Sequence, residues 1–210
     1  MGCPAGSLQI TSSFLILVNL IFASHNAHKI QEVQEILGED LVSIIGLKDM
    51  GFHDEIEETG DTLAENALIK ARAVHGKTGQ NVFSDDTGLE VYALDLAPGV
   101  HTARYAGESK DSDANMNKLL DALAGRQDRK ARFRTVVALI YEGQEYLFEG
   151  IVDGNISVNR AGVKGFGYDP VFIPQGYDKT FAELDAEIKN SISHRFRAMQ
   201  ALRTFLQDLA

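Results

Sequence analysis

The chain has 210 residues, 44% hydrophobic and 24% charged, with a formal net charge of -10. That length can bury a real core in one domain or two small lobes. The acidic balance lacks the Lys and Arg clusters that general nucleic-acid binding needs for counterion release. The single cysteine, Cys3, can form no intrachain disulfide, which suits a reducing cytoplasm.

Residues 1–13 read as a leader, followed by a single domain over residues 14–210. The apolar run 14–23 is interrupted by Asn19 and is too short to span a bilayer. No Lys or Arg precedes it, so it lacks the signal-peptide pattern, and Gly6 stands where a myristoylation signal has Ser or Thr. Residues 14–24 are expected as a buried first strand running into SHNAHK. Ile30, Val33, Ile36 and Leu37 then recur at helical spacing, with Gly38 as the stop. Residues 41–45 make a short strand. TLAE at 62–65 fits a capping box, and Leu63, Ala67, Leu68, Ala71 and Val74 carry its helix to Gly76. Residues 81–84 and 89–94 are expected as two strands around a DDTG corner. A helix follows over 112–123, with Gly125 after it. Residues 133–141 and 146–157 are long strands joined by EGQE, a hairpin signal. The glycine-rich GVKGFGYDP precedes a strand at 171–173. The last helix starts near Ser193, with Met199, Leu202, Leu206 and Leu209 as its apolar stripe. Early alternation of strands and helices, then a hairpin, predicts an α/β fold with a mixed sheet.

Two nucleotide motifs fail on inspection. GKT at 76–78 lacks the glycine a phosphate loop needs at position 71, which is Ala71, and it ends a helix instead of opening one. GFGYDP has Pro170 where a dinucleotide fingerprint needs its third glycine. SHNAHK is more informative: it follows a strand and opens a helix, where free N–H groups and the helix dipole favour an anion. Lys29 lies one turn in. Simple N-capping by Ser24 or Asn26 accounts for the same residues. EIEETG gathers Glu55, Glu57 and Glu58 at a turn, which also describes a solvated acidic loop. In DDTG, Asp85 and Asp86 face opposite sides of a strand and so do different work. Glu57 and Asp86 together offer a hard cation oxygen ligands, and Mg²⁺ takes one or two carboxylates, leaving other positions to water and phosphate. KGFGYD brings Lys164 together with Phe166 and Tyr168, rings that suit either a stacked base or the core. KNSISHR offers Lys189, His194 and Arg195 near a helix start, and also reads as a solvated basic patch. Lys70 alone reads as an exposed helix lysine.

The set as a whole resembles a known family. S-x-N-x-x-K at 24–29, EETG, E-N-A-x-x-K-A, DDTGL, APG, ARY, GFGYDP and SHR run in order from about Asn19 to the C-terminus. This series is similar to the inosine triphosphate pyrophosphatase family, enzymes that clear ITP, dITP and XTP. The resemblance implies a homodimer of elongated α/β subunits, each with a central mixed twisted sheet flanked by helices and a substrate cleft between two lobes. It implies Mg²⁺-dependent cleavage between the α- and β-phosphates in the cytoplasm, giving a monophosphate and pyrophosphate. Asp86 is then general base and metal ligand, Glu57 the other metal ligand with Glu58 nearby. Ser24, Asn26, Lys29 and Lys70 hold the triphosphate, Lys70 among the catalytic groups. Thr87, Phe166, Gly167, Tyr168, Asp169, Lys189, His194 and Arg195 line the nucleoside side. Arg195 or backbone N–H groups would meet the oxygen at the purine 6-position, where adenine carries an amino group instead. The chain departs from the family's pattern at His25, where the family often has Gly, and at Phe196, where it usually has Gly. Two rival readings are a phosphohydrolase of modified pyrimidine nucleotides and a nucleotide-binding protein without turnover.

Overall fold

The computed structural model describes residues 18–209 apart from 39 and 54, and for residue 28 the backbone only. The expected leader, Cys3 and residues 14–17 of the expected first strand lie outside the described residues. Strand β1 (Val18–Phe22) leads into α1 (Ala27–Leu37), which ends at Gly38 with φ 76°, and then β2 (Val42–Gly46). Helix α2 (Leu63–Thr78), β3 (Val82–Val91), the short β4 (Pro98–Gly99) and α3 (Ser112–Ala122) follow. The hairpin is β5 (Lys130–Tyr141) and β6 (Gln144–Ile156), turning through Glu142 and Gly143, both at positive φ. Then come β7 (Phe172–Pro174), α4 (Ala186–Ile192) and α5 (His194–Leu209).

The strands make one mixed sheet in the order β2-β1-β3-β5-β6-β7, with β4 on the free edge of β3. β1 runs parallel to β2 and β3, and the pairs from β3 to β7 are antiparallel. The α/β fold with a mixed sheet therefore stands. Among the described residues no helix is long and apolar enough to cross a membrane.

Burial on opposite faces of β3 explains how the helices attach. Phe83, Val137 and Leu139 pack with Ala198, Met199, Leu202 and Leu206 of α5 on one face. Val82, Ala138 and Ile140 pack with Ala67, Ala71 and Val74 of α2 on the other. A third cluster fills the far end, joining Leu119 of α3 to Phe133, Phe172 and Phe181. Since neighbouring strand residues face opposite sides, Asp85 points to the α1/α5 side and Asp86 to the α2 side.

Several local expectations change. DDTG is not a corner: β3 is continuous, and its ten residues pair one by one with β5 from Val82↔Ile140 to Val91↔Ala131. Cross-strand pairing overrides the local turn preference of Asp, Thr and Gly. The expected second strand stops at Val91, and Tyr92–Leu94 form a 3-10 turn. The capping box at Thr62 and Glu65 is present, but α2 runs through Gly76 and stops at Gly79, whose φ of 66° lets it close the last turn. Ser193 receives the Phe196 N–H at 3.1 Å and starts α5 as expected. Met199, Leu202 and Leu206 are buried, whereas Leu209 is exposed at the helix end. The short helix α4 before it has no counterpart among the elements expected from the sequence.

Candidate active site

The sheet has an opening in it. β1 pairs with β3 only at Val82 and Phe83, and β4 joins the same edge at Leu89 and Glu90. Along that edge the residues between, which carry DDTG, have no strand neighbour among the described residues. The C-terminal end of parallel strand β1 delivers SHNAHK to this opening, the end of an α/β sheet where ligands gather. A cavity of about 1080 Å³ lies there, lined by residues of SHNAHK, EIEETG, α2, β3, the ARY turn, GFGYDP and SHR. The fourteen residues to which the resemblance gives a binding, metal or catalytic role line it: Ser24, Asn26, Lys29, Glu57, Lys70, Asp86, Thr87, Phe166, Gly167, Tyr168, Asp169, Lys189, His194 and Arg195. Lys164 of KGFGYD does not, and pairs with Asp185 at 2.9 Å.

At one end, Asn26 caps α1, its Oδ1 accepting the Lys29 N–H at 3.2 Å, while Ser24 Oγ accepts the Asn26 N–H at 3.2 Å. Lys29 Nζ donates to Asp85 Oδ1 at 3.0 Å. Arg195 donates from Nε to Asp85 Oδ2 at 3.4 Å and from Nη1 to Glu32. Burial opposes ionisation of Asp85, but Lys29 and Arg195, then Lys70, hold its carboxyl well below the usual range. Burial lowers the Lys29 ammonium, with Asp85 opposing. The positive partners of the paired aspartates thus include the protein's own cations.

On the other face, Asp86 accepts from Thr87 N at 2.9 Å and from Asn66 Nδ2 at 3.2 Å, and Lys70 Nζ stands 3.9 Å away. Lys70 also donates to Glu58. Burial pushes Asp86 above the usual carboxylate range; Lys70 opposes this and Glu58 adds to it. Burial disfavours the charge on Lys70, but Asp86 and Glu58 raise it above its ordinary value. Lys70 is therefore a half-buried, paired lysine, not an exposed one. Glu57 is exposed on the cavity wall. Among the described residues no three His, Cys, Asp or Glu side chains are grouped closely enough to hold an ion. Thr87 shares a 2.8 Å hydroxyl hydrogen bond with Thr135 across the strand pair.

The far end is aromatic. The GFGYDP loop folds around the Asp169 carboxylate, which accepts from Phe166 N at 2.8 Å and Lys189 Nζ at 2.7 Å. Gly165, at φ 78°, leaves no room there for a side chain: a Cβ would lie 2.1 Å from Asp169 Oδ2. Burial raises Asp169, with Lys189 opposing. Phe166 is 45% exposed, with Lys189 Nζ 5.1 Å and Arg195 Cζ 6.0 Å from its ring centroid. Tyr168 is only 3% exposed; its ring packs in the core and its hydroxyl donates to Thr102 O at 3.0 Å. The expected pair of stacking rings thus reduces to Phe166. His194 stacks on Phe133 at 4.6 Å, and its Nδ1 is the one buried side-chain polar atom without a hydrogen-bond partner among the described residues. Burial, then Arg195 and Lys189, hold His194 well below the usual imidazole range. Both His194 and Arg195 are set by α5 lying directly on β6: a Cβ on Gly150 would come within 2.0 Å of His194 O.

Sequence reasoning gave no role to Asp85, Glu32, Asn66 or Arg104. Glu32 lies one turn from Lys29 and Asn66 one turn before Lys70, so helical spacing could have flagged both. Arg104, from the ARY turn, lines the cavity with no carboxylate paired to it among the described residues. Of the two departures, His25 lines the cavity and Phe196 does not.

An α/β sheet opened beside a cleft with lysines and carboxylates at one end and an exposed ring at the other defines a class of protein for phosphate-bearing aromatic ligands. The comparisons narrow this. The Ham1 family model matches residues 20–205, and the chain belongs to that family. It is 54% identical over 188 residues to the dITP/XTP pyrophosphatase of Porphyromonas gingivalis, covering 89% of this chain and 96% of that one. It is 44% identical over 196 residues to the dITP/XTP pyrophosphatase of Bacillus subtilis, covering 92% and 99%. Among solved structures, a HAM1 protein from Coxiella burnetii matches at 39% identity with a TM-score of 0.86, over 91% of this chain and 100% of that one. The resemblance to inosine triphosphate pyrophosphatases is thereby borne out.

Proposed function

We propose that this chain hydrolyses the non-standard purine triphosphates ITP, dITP and XTP to the monophosphate and pyrophosphate, removing them from the cytoplasmic pool. The observation that carries this is one cleft holding Lys29, Lys70, Glu57 and Asp86 at one end and Phe166 at the other. The names of the relatives support the substrate class.

A triphosphate's negative charge repels an attacking water, so cations must neutralise it and stabilise the charge developing in displacement. Lys29, at the first turn of α1, and Lys70 take the phosphates, with Ser24 and Asn26 beside them. Asp86 accepts the proton of the attacking water. The donor set suits Mg²⁺: Glu57 and Asp86 are hard oxygen ligands, and the carboxyl of Asp86 carries a burial penalty that a divalent cation would relieve. When bound, Mg²⁺ supplies charge neutralisation at the phosphates and acidifies bound water. Phe166 stacks on the base. Backbone N–H groups or Arg195, whose Nε and Nη1 are fixed by Asp85 and Glu32 and whose Nη2 makes neither of those bonds, suit a 6-oxo purine. A site built on such bonds discriminates against the amino group of adenine by ~10⁴ or more. The working unit is a homodimer, as the resemblance implies.

The test is incubation with ITP, XTP, dITP, ATP and GTP, with Mg²⁺ or with chelator. Pyrophosphate release from the first three, lost on chelation, is the expected result. Orthophosphate would mean a different scissile bond, no product would mean a binding protein, and equal rates with ATP would remove the base-selection account.

A further inference from the structure

Asn66 is the fully buried polar side chain of α2, one turn before Lys70, with 0% of its surface exposed. It makes two bonds in two directions. Its Nδ2 donates to Asp86 Oδ2 at 3.2 Å, and its Oδ1 accepts the Gly60 N–H at 2.8 Å. The amide orientation is determined by these neighbours: turned over, Nδ2 would face a donor and Oδ1 a carboxylate. Gly60 closes the EETG turn, two residues after Glu58. Its backbone presses on the helix start so tightly that a Cβ there would lie 2.6 Å from Glu65 Cβ and 2.8 Å from Asn66 Oδ1. Among the described residues, two side chains of α2 touch both the EETG loop and the strand carboxylate of Asp86. Lys70 pairs with the Glu58 side chain and stands 3.9 Å from Asp86, whereas Asn66 holds the loop by its backbone, at Gly60 N, and Asp86 by a direct hydrogen bond. With Thr87 N on Oδ1, it gives each oxygen of Asp86 one neutral donor.

We infer that Asn66 is a positioning residue that sets the distance and angle between the Glu57–Glu58 turn and Asp86. This rests on the proposed reaction, in which carboxylates from those two segments must act together. A helix supplies the rigid ruler: the loop hangs from one end of an amide and the base from the other. Removing the ruler leaves every reacting side chain present and the Lys70–Glu58 pair in place, but it releases the backbone of the acidic turn at Gly60 and lets Asp86 rotate. Groups that orient ligands in this way typically cost ~10–100-fold in metal affinity or activity when lost.

The experiment compares the wild-type enzyme with Asn66→Leu, which removes both bonds and fills the site with apolar atoms, and with Asn66→Ala. Three readouts are taken: kcat and KM for ITP, Mn²⁺ affinity by electron paramagnetic resonance without nucleotide, and amide hydrogen exchange of residues 55–61. The expected result is kcat down ~10–100-fold with KM within about threefold, Mn²⁺ affinity weakened, and protection lost at Gly60 while β3 and β5 stay protected. A purely structural asparagine would lower the melting temperature and leave folded-state kcat and Mn²⁺ affinity unchanged, which overturns the proposal. If neither variant folds, the wild-type enzyme decides: the Gly60 amide must exchange slowly, like the interior of α2, and exchange as fast as Glu57 overturns it. A wild-type enzyme that releases no pyrophosphate from ITP defeats the proposed function instead, while Gly60 protection and Mn²⁺ affinity still report on Asn66.

Discussion

Replacing each of the two adjacent aspartates by asparagine should have unequal consequences for stability and turnover. The Asp85 side chain is 1% exposed and faces Lys29 at 3.0 Å and Arg195 at 3.4 Å, whose side chains are 18% and 4% exposed. Asp85→Asn keeps the shape and removes the charge, leaving two buried cations with Glu32 alone beside them. Breaking a buried ion pair from one side costs about 3–5 kcal/mol, which in a chain of this size lowers the melting temperature on the order of 10 °C. Asp86→Asn removes a carboxylate already penalised by burial and by Glu58, while Lys70 keeps Glu58 as partner. Against that relief, the new amide NH2 must face a donor, either Thr87 N–H or Asn66 Nδ2. The change should therefore cost less than Asp85→Asn, about 1–3 kcal/mol, yet should lower turnover ~10²–10⁴-fold as a lost general base does. Urea unfolding at pH 7.5 measures both. The pH dependence gives a second check. The folded pKa of Asp85 is depressed, so its stabilisation is complete above the unfolded value of ~3.9 and is lost as pH falls through the folded value. The gap between wild type and Asp85→Asn should therefore stay constant from pH 8 to 5 and close only in strong acid. An Asp85→Asn protein within ~1 kcal/mol of wild type would refute the reasoning.

Phe166→Ala should raise KM for ITP about tenfold while kcat stays within about threefold, because base stacking on an aromatic ring is worth ~1–3 kcal/mol; an unchanged KM would remove the ring from the site. His194 has a folded pKa well below its unfolded value, so the unfolded chain binds a proton below ~pH 6.5 that the folded chain does not. Wild type should then lose up to ~1.4 kcal/mol more than His194→Phe between pH 7.5 and 5.5, read as the difference in urea midpoints. Gly150→Ala should cost about 3 kcal/mol, since the new Cβ meets backbone atoms of α5 at 2.0 and 2.5 Å; thermal unfolding checks it, and a wild-type melting temperature would contradict the close packing of α5 on β6.

The sequence made much of the site legible because its polar residues sit at strand ends and helix starts, where local pattern is strong. SHNAHK follows β1 and caps α1, and the Thr62 capping box marks the start of α2. What stayed hidden depends on distance along the chain. Arg195 reaches Asp85 across 110 residues and Glu32 across 163, so no window shows that this arginine is tied to the network of Lys29 and Asp85. DDTG read as a corner because its residues favour turns, and only the register with β5 keeps it straight. Tyr168 and Phe166 are two residues apart in one loop, and nothing in GFGYDP says which ring enters the core. Helix α4 is seven residues long, too short for its periodicity to stand out from the loop before Ser193.

The account turns on a divalent ion shared by Glu57 and Asp86 beside a bound triphosphate. The most direct test is Mn²⁺ binding by electron paramagnetic resonance to wild type, Glu57→Gln and Asp86→Asn, with and without a non-hydrolysable α,β-imido analogue of ITP. The account predicts that the analogue tightens Mn²⁺ binding in wild type and that each substitution weakens it. Equal binding in all three proteins would contradict it.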